Sequence, residues 1–388
     1  MPSPWAEWLI GLCLFAATVS TFVYWMFLRA LRRITWRDRP LDPPAERELI
    51  SVIVPARNEE VDVGAGLRSI LRQIGVQLEV IAVNDHSSDA TGRIMDDIAA
   101  TDARLTVIHN PELRPGWFGK VNAMHQAAER ASGQYLLFTD ADIEHEPDCF
   151  RMAVAELQRQ GVGLFSLFPK LHCVTLWENA VLPMYMAGMA QFAGRSIEDE
   201  RSQHALAAGA LILVRAEDFH AVGGWEPVRR EMLDDVGIAR LFKQHGHRVG
   251  FRVAPDLMSV RLFKSNHDAF WGSTKNILAG LHGHYWLAPV AMLLPFLVFW
   301  SPLVALVLGI IWGSPLVVGI GSAVYVLEYA GLYLGRGQFV FHPMRALCFP
   351  LIAISVFCSF ARALYFYFVR GSILWRNRAI RLDGAAAD

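Results

Sequence analysis

In Tyr135-Leu136-Leu137-Phe138-Thr139-Asp140-Ala141-Asp142, an apolar run leads directly into two carboxylates. Such a run predicts a buried β-strand over residues 135–139. Because side chains alternate along a strand, Asp140 and Asp142 are expected to point the same way. Both would then reach one divalent cation, and a hard ion such as Mg²⁺ or Mn²⁺ prefers oxygen ligands and bridges a diphosphate. An Asp-x-Asp pair is also common in surface turns. The prediction of a cation site therefore depends on the position of this pair at the end of a buried strand.

Similar apolar runs recur upstream of this strand, and helical patterns separate them. Strands are predicted at 49–55, 78–84 and 105–109, and helices at 64–73, 91–100 and 121–131. Strands that alternate with helices are typical of the α/β class with a parallel sheet. In such sheets the binding site lies at the carboxyl ends of the strands.

The composition of the 388 residues indicates membrane segments, since 53% are hydrophobic and only 19% are charged. Soluble domains usually carry about 25% charge. Residues 8–28 are apolar and uncharged, and at 1.5 Å per residue they would span about 30 Å, the thickness of a bilayer core. Five arginines follow between positions 29 and 39, so the positive-inside rule places the next segment in the cytoplasm. No basic region precedes the span and no Ala-x-Ala site follows it, which argues against a cleaved signal peptide.

A second apolar block near the C-terminus predicts further spans at 285–312, 315–334 and 346–369. Three more spans would leave the tail outside, whereas Arg370, Arg376, Arg378 and Arg381 favour the inside. A segment that dips into the membrane and returns would remove this conflict. The predicted organisation is an anchor and basic linker (1–46), a soluble α/β domain with interfacial helices (47–283), and C-terminal transmembrane helices with a basic tail (284–388).

Charge and cysteine content exclude several classes of protein. Lys plus Arg (36) nearly balances Asp plus Glu (37), which gives no case for nucleic-acid binding. The five cysteines form no CxxC pair, so a disulfide framework and a zinc site are both disfavoured. The histidines are scattered, and none is assigned to a metal.

Two more acidic clusters fall at predicted strand or helix ends. In Val83-Asn84-Asp85-His86-Ser87-Ser88-Asp89-Ala90-Thr91, Asp85 is expected to accept hydrogen bonds from a nucleobase or ribose, and Asp89 to cap the next helix. In Glu231-Met232-Leu233-Asp234-Asp235, Asp234 either caps the helix that continues over 236–244, or one carboxylate enters the site as a general base. The pattern itself leaves both readings open.

Taken in order, these clusters resemble the membrane-bound family 2 glycosyltransferases, which have a GT-A, Rossmann-like fold that binds nucleotide-sugars. The motifs are Val54-Pro55-Ala56-Arg57-Asn58-Glu59-Glu60, Asn84-Asp85-His86-Ser87-Ser88-Asp89-Ala90-Thr91, Gly116-Trp117-Phe118-Gly119-Lys120, Phe138-Thr139-Asp140-Ala141-Asp142, Gly209 with Gly223-Gly224-Trp225, and Asp234-Asp235. The resemblance covers about residues 50–283 and is greatest to the hopene-associated and carotenoid-type lipid glycosyltransferases.

The resemblance implies a role for each matching residue. Pro55, Ala56 and Glu59 would line the nucleotide pocket, and Asp85 would contact the base. Lys120 would neutralise the diphosphate, unless it is a solvated lysine at a helix N-terminus. Asp142 would be the principal ligand of Mg²⁺ or Mn²⁺, Asp140 would face the ribose or the metal, and Asp235 would be the catalytic base.

The sequence departs from the family pattern in two places. The Asp234-Asp235 pair replaces the family's Glu-Asp pair, which leaves the base intact. The Gln-x-x-Arg-Trp motif of polysaccharide synthases is missing, and the chain has Phe270-Trp271-Gly272-Ser273-Thr274-Lys275-Asn276 instead. Lys275 and Arg261 are the candidates to replace the missing arginine, although basic residues beside apolar surfaces often snorkel. Polymer synthesis is therefore in doubt.

The mostly apolar stretch 171–192 resembles a span, but crossing there would separate Asp235 from Asp140 and Asp142. It is interpreted as an interfacial helix that guides a lipid acceptor, with a buried helix of the soluble domain as the alternative.

The predicted function is an inverting, hexosyltransferase-type enzyme at the cytoplasmic face of the inner membrane. It would move a sugar from a nucleotide-sugar, expected to be a UDP-sugar, to a hydroxyl of a hopanoid, carotenoid, ceramide or glycerolipid. The alternatives are a processive polysaccharide synthase and a non-catalytic membrane subunit that keeps the fold. A transporter using Glu328, Arg336 and Arg345 is disfavoured, because most charges lie in the soluble domain.

Overall fold

In the computed structural model of the chain, the residues described are 4–36, 48–180, 182, 197, 202, 204–231, 233–272, 274–277, 285–334, 339–375 and 378–381. The chain divides into two compact units. The sheet unit comprises Ile34–Lys170, Phe192–Arg261 and Gly384–Asp388, and the helical unit comprises Met1–Arg33, Leu171–Gln191 and Leu262–Asp383. Residues 262–277, which the sequence placed with the soluble domain, belong by packing to the helical unit.

The first half of the sheet unit matches the predicted strands and helices. The strands are β1 (Leu49–Ala56), β2 (Gln77–Asn84), β3 (Leu105–His109) and β4 (Tyr135–Phe138), and they pair in parallel in the order β3-β2-β1-β4. The helices between them are α2 (Val63–Leu71), α3 (Thr91–Ala99) and α4 (Gly119–Ala128). All four predicted strands are confirmed, as are the three helices, with ends displaced by a few residues.

The second half of the unit makes the sheet mixed, and not wholly parallel as predicted. Its elements are β5 (Glu144–His145), α5 (Cys149–Gln160), β6 (Leu164–Phe168), β8 (Ile212–Arg215), α6 (Ala216–Ala221), α7 (Asp234–Gln244), β9 (Val249–Val253) and β10 (Met258–Val260). The seven-stranded order is β3-β2-β1-β4-β8-β6-β9. Strand β8 runs antiparallel to both β4 and β6, whereas β6 and β9 are parallel. The predicted helix over 236–244 is confirmed as part of α7.

The core lies around the central strands β1 and β4, which are mostly apolar. Residues 50–56 of β1 and all four residues of β4 are buried, as expected where helices cover both faces of a sheet. At the end of β4, the Phe138 ring lies 5.0 Å from that of Trp225 and 5.4 Å from that of Phe219. Each of these three rings is at most 2% exposed. This packing fixes the strand end from which Asp140 follows.

The helical unit is built from α1 (Pro4–Ile34), β7 (Lys170–His172, continuing from the sheet unit), α8 (Asn266–Gly272), α9 (Thr274–Ile277), α10 (Ala288–Ile311), α11 (Pro315–Leu334), β11 (Phe339–Val340), α12 (Pro343–Ala346), α13 (Leu351–Tyr365), β12 (Ser372–Trp375) and β13 (Arg378–Arg381). A π-helical turn, Phe366–Arg370, extends α13. Within the described part of the chain, three helices are long and apolar enough to cross a membrane: 288–311, 315–333 and 351–370. The predicted first span, 8–28, lies inside the continuous helix α1.

The prediction of one interfacial helix over 171–192 is wrong at its start. Leu171 and His172 belong to strand β7 and pair with Phe339 and Val340, and helical geometry begins only at residue 176. The partner strand lies far away in sequence, so no local pattern indicates it. Most of the remaining stretch falls outside the described residues.

Candidate active site

The carboxyl ends of β1 and β2 bring the first two motifs together. Ala56 is in register with Asn84, and the amide of Asp85 donates to the carbonyl of Ala56 at 2.9 Å. Pro55 and Ala56 are buried at this edge, and Glu59 lies in the loop that follows β1. The predicted nucleotide-pocket residues therefore share one end of the sheet.

The carboxylate of Asp85 is held between two basic side chains. It is 4% exposed, with Nη1 of Arg57 3.7 Å from Oδ2 and Nδ1 of His86 3.0 Å from Oδ1. Arg57 also donates to the backbone carbonyl of Asp85 at 3.1 Å. Asn58 and His86 have positive φ angles of 54° and 56°. These angles lie in the left-handed region, which is uncommon for residues other than glycine but is enriched in Asn, Asp and His. Sequence reasoning missed the roles of Arg57 and His86, although both flank predicted residues.

The prediction that Asp89 is the N-cap of α3 is wrong, because Ala90 occupies that position. Its Oδ1 accepts from the amide and hydroxyl of Thr91, at 3.0 and 2.6 Å, and its Oδ2 accepts from the amide of Glu60 at 3.2 Å. Burial opposes ionisation, but these hydrogen bonds outweigh it and lower the pKa of Asp89. The Thr91 hydroxyl also accepts from the amide of Glu59 at 2.8 Å. Asp89 thus fastens the Glu59 loop to the start of α3.

The centre of the site is the ammonium group of Lys120, in the first turn of α4. Its Nζ lies 2.7 Å from Oδ1 of Asp140 and 3.3 Å from Oδ2 of Asp234. Desolvation favours the neutral amine, but Asp140, Asp234 and Asp235 outweigh it, so the pKa of Lys120 is raised. The Lys120 side chain is 39% exposed, so it is partly solvated as well as ion-paired, and its role at the diphosphate stays a prediction. We call Lys120, Asp140, Asp234 and Asp235 the carboxylate cluster.

Two hydrogen bonds between loops, one of them from a side chain, hold the elements of this cluster together. The amide of Phe118 donates to the carbonyl of Arg229 at 3.0 Å, and Nε of Arg230 donates to the carbonyl of Gly116 at 3.0 Å. Gly116 has φ +79°, which favours glycine, and a Cβ there would lie 2.5 Å from the Arg230 guanidinium. The loop before α4 is thereby tied to the loop before α7.

Gly209 links the two acidic ends of the cluster through its backbone. Its amide donates to Oδ2 of Asp235 at 3.2 Å, and its carbonyl accepts from the amide of Asp140 at 3.1 Å. A Cβ on Gly209 would lie 2.9 Å from Oδ2 of Asp140 and 3.1 Å from Nζ of Lys120. Only glycine leaves room for the close approach of these groups.

Asp235 and Asp234 have different surroundings, although they are adjacent in sequence. Burial, and then repulsion from Asp234 and Asp140, raises the pKa of Asp235 to about 6, against the opposing attraction of Lys120. Its Oδ1 accepts from the amide of Val236 at 2.8 Å. Asp234 is instead paired with the Lys120 ammonium. Of the two carboxyls, Asp235 is the one whose pKa is raised, which is the direction expected of a general base.

The alternation argument for Asp140 and Asp142 does not hold in the structure. Strand β4 ends at Phe138, and the amide of Ile143 donates to the carbonyl of Asp140 in a turn. Side chains in a turn do not alternate as they do in a strand. A common ion for the two carboxylates stays a prediction.

The chemistry of the donor set nevertheless fits a divalent cation. Among the described residues, no group of three or more His, Cys, Asp or Glu side chains is arranged to hold a metal by itself. Mg²⁺ is usually held by one or two carboxylates together with substrate phosphates. The carboxylate cluster sets three carboxylates against one ammonium, and a bound diphosphate would add more negative charge.

Comparison with known proteins agrees with this geometry. Residues 51–218 match the family described as Glycosyl transferase family 2. Two relatives are the 4,4'-diaponeurosporenoate glycosyltransferases of Staphylococcus aureus, strain USA300 (28% identical over 241 residues) and strain bovine RF122 (30% over 244 residues). Each alignment covers 60% of this chain and 62% of the relative, so the chain spans less than two thirds of these relatives' length.

A similar solved structure is the mannosyltransferase PcManGT from Pyrobaculum calidifontis in complex with GDP-Man and Mn²⁺. It has a TM-score of 0.54 and 19% identity, and the match covers 92% of this chain and 99% of that one. Residues 51–218 therefore match the model of family 2 glycosyltransferase domains, and the sheet unit has a GT-A-like α/β fold. Lys120, Asp140 and Asp142 lie within the matched range, whereas Asp234 and Asp235 follow it.

Proposed function

We propose that this chain is an inverting glycosyltransferase that moves a hexose from a nucleotide-sugar, expected to be a UDP-sugar, to a hydroxyl of a membrane lipid. The observation that carries the proposal is the carboxylate cluster, in which Lys120 pairs with Asp140 and Asp234 and the charge of the neighbouring Asp235 also acts on Lys120. An ammonium that balances phosphate charge beside a carboxyl that accepts a proton is the pair such a transfer needs.

The donor would bind across the carboxyl ends of β1 and β2. Asp85, held by Arg57 and His86, would accept hydrogen bonds from the base, with Pro55, Ala56 and Glu59 lining the pocket. Lys120 would turn from its two carboxylates toward the diphosphate. In the structure its ammonium lies within 3.3 Å of both Asp140 and Asp234, and the flexible lysine side chain can reorient toward a bound phosphate.

The transfer step would use Asp235 as the base. The acceptor oxygen attacks the anomeric carbon and its proton passes to the Asp235 carboxylate. The bond from the anomeric carbon to the diphosphate oxygen breaks, and the nucleoside diphosphate leaves with the electron pair. Attack on the face opposite the leaving group inverts the anomeric configuration.

Asp142 and Asp140 would hold Mg²⁺ or Mn²⁺. When bound, the cation would neutralise charge on the departing diphosphate. The carboxylate chemistry of the site supports this assignment, as does the similar fold of PcManGT, whose structure was obtained with GDP-Man and Mn²⁺.

A lipid acceptor is proposed from the membrane-type helices and from the relatives. Among the described residues, the helical unit contains three helices long and apolar enough to cross a bilayer, and both relatives are named for glycosylation of diaponeurosporenoate. A hopanoid, carotenoid, ceramide or glycerolipid would present its hydroxyl from the bilayer. The protein is proposed to be a multi-pass protein of the inner membrane with its catalytic domain in the cytoplasm, because arginines follow the first apolar segment.

The test uses purified protein in vesicles that contain cellular lipid extract. Labelled UDP-sugars and GDP-sugars are supplied in turn, with the Asp235→Asn variant as the matched inactive control. A low-mass, organic-extractable product made only by the parent protein is expected. Label confined to a high-mass, water-soluble polymer would contradict the lipid acceptor and favour a polysaccharide synthase. Absence of transfer from every donor would contradict the enzyme itself.

A further inference from the structure

The segment that links α11 to α13 reaches the middle of two long helices. Trp300, the thirteenth of the 24 residues of α10, donates from Nε1 to the carbonyl of Pro350 at 2.9 Å. Tyr325, the eleventh of the 20 residues of α11, donates from its hydroxyl to the carbonyl of Leu347 at 2.5 Å. Residues 347–350, called the tip below, therefore lie level with the midpoints of α10 and α11.

The second half of the tip is buried, since Phe349 and Pro350 are buried, whereas Leu347 is half-buried and Cys348 is exposed. Phe349 is 1% exposed, and its ring lies 4.9 Å from that of Tyr325 and 6.0 Å from that of Phe299. Irregular backbone at membrane depth is tolerated only where protein surrounds it and its polar groups find partners. The indole and phenol donors meet that requirement.

From the tip, α13 runs back along the first half of α10. The Phe357 ring lies 6.0 Å from that of Phe296, and Ala363 shares a hydrophobic cluster with Ala288, the first residue of α10. The 13 residues from Pro350 to Ala363 rise about 20 Å, and the 12 from Ala288 to Trp300 rise about 18 Å. The helix therefore reaches the level of the start of α10 near Ala363.

Arg362 marks this end of α13. It donates to Oγ1 of Thr274 at 3.0 Å and to the carbonyl of Phe270, and its guanidinium lies 4.0 Å from the centre of the Phe270 ring. These partners are in α8 and α9, which precede α10 in the chain. The C-terminal end of α13 is thus on the side from which α10 starts.

The segment that leads to the tip begins on that same side. Helices α10 and α11 are joined by a short turn, so the end of α11 lies level with the start of α10. Strand β11 then pairs with β7, with Phe339 opposite Leu171 and Val340 opposite His172. The amide of Cys173 donates to Val340 at 2.8 Å, and Arg345 donates to the carbonyl of Val174.

We propose that residues 339–370 form a re-entrant hairpin, which enters and leaves the membrane on one side, and not a third C-terminal span. Helices α10 and α11 are then the two crossings after the soluble domain. The basic tail, with Arg370, Arg378 and Arg381, faces the side from which α10 starts, where it meets anionic lipid headgroups. The arginine-rich tail then lies on the side that the positive-inside rule favours. This proposal does not depend on the enzymatic activity proposed above.

The test compares the sides of the membrane on which two positions lie. Ser314 follows the turn between α10 and α11, and Ser372 begins the tail strand β12. Ser314→Cys and Ser372→Cys are made separately in the full-length chain with its five native cysteines replaced by alanine. Intact and permeabilised cells are then labelled with a membrane-impermeant maleimide. The hairpin predicts that the two positions are labelled from opposite sides; labelling from the same side would overturn it.

A second measurement covers the case in which the cysteine-free chain does not fold. A short epitope is inserted between Gly313 and Ser314, or placed after Asp388, in the native-cysteine chain. Antibody access in spheroplasts and in permeabilised cells is compared. Epitopes on opposite sides support the hairpin, and epitopes on one side refute it, whichever side that is.

Discussion

Replacement of Asp234 and of Asp235, each in turn, is expected to change the pH profile of activity in different ways. Asp235 is the proposed base, and Asp234 is paired with Lys120 at 3.3 Å. The parent enzyme should lose activity as pH falls through about 6, where Asp235 becomes protonated. The titrating groups and charges around it are Asp234, Asp140 and Lys120. One pH unit below the midpoint, only about a tenth of the enzyme would hold the base in its active form.

Asp235→Asn should remove the acidic limb altogether. The amide keeps the shape of the side chain and can still accept one of the two hydrogen bonds from the amides of Gly209 and Val236. It no longer accepts a proton. Loss of a general base typically costs 10²- to 10⁴-fold in rate, which corresponds to about 2.7–5.4 kcal/mol of activation free energy.

Asp234→Asn should instead keep the limb and move it. The negative charge of Asp234 raises the pKa of Asp235, so its removal shifts the midpoint below 6. Lys120 keeps its ion pair with Asp140 at 2.7 Å. Since partly exposed ion pairs usually contribute about 0.2–1 kcal/mol, the rate at pH 8 should fall less than about tenfold.

The assay measures initial transfer rates from a labelled nucleotide-sugar between pH 4.5 and 8.5. Donor affinity by calorimetry and the thermal midpoint of each variant serve as folding controls. If Asp235→Asn keeps the acidic limb, or if Asp234→Asn costs more than Asp235→Asn, the assignment of the base is wrong and Asp234 takes its place.

Three further predictions concern the same site. Gly209→Ala should lower kcat by about 10- to 100-fold, because its methyl group displaces Asp140 and Lys120. The control Gly319→Ala adds a methyl group where no atom lies within 4 Å and should leave kcat unchanged. Equal effects of the two changes on kcat would refute the argument from close approach. Asp142→Ala should abolish transfer in a protein that still folds, and turnover that survives both this change and EDTA would exclude the metal assignment. Asp85→Asn should raise the KM for the nucleotide-sugar more than it lowers kcat. An unchanged KM would show that the nucleobase binds elsewhere.

Local sequence patterns were sufficient for the elements of the sheet and for the order of its motifs. Strands β1 to β4 are short apolar runs whose ends carry polar residues, and these signals come from neighbouring residues alone. The family resemblance rested on motifs of the same local kind, and the match over residues 51–218 confirms it. The apolar block near the C-terminus likewise indicated α10 and α11 from composition and length.

The tertiary structure decided which distant groups meet. Lys120 at the start of α4, Gly209 in a loop and Asp234 at the start of α7 come from separate parts of the chain. No spacing indicates that a carboxylate pair holds the ammonium or that Gly209 bridges Asp140 and Asp235. The antiparallel direction of β8, the β7–β11 pairing and the turn at Asp140 escaped prediction for the same reason. The apolar stretch 346–369 has the composition of a span, yet its tip hydrogen-bonds to the midpoints of two other helices. Composition records how apolar a segment is, whereas its direction and depth depend on partners far away in the chain.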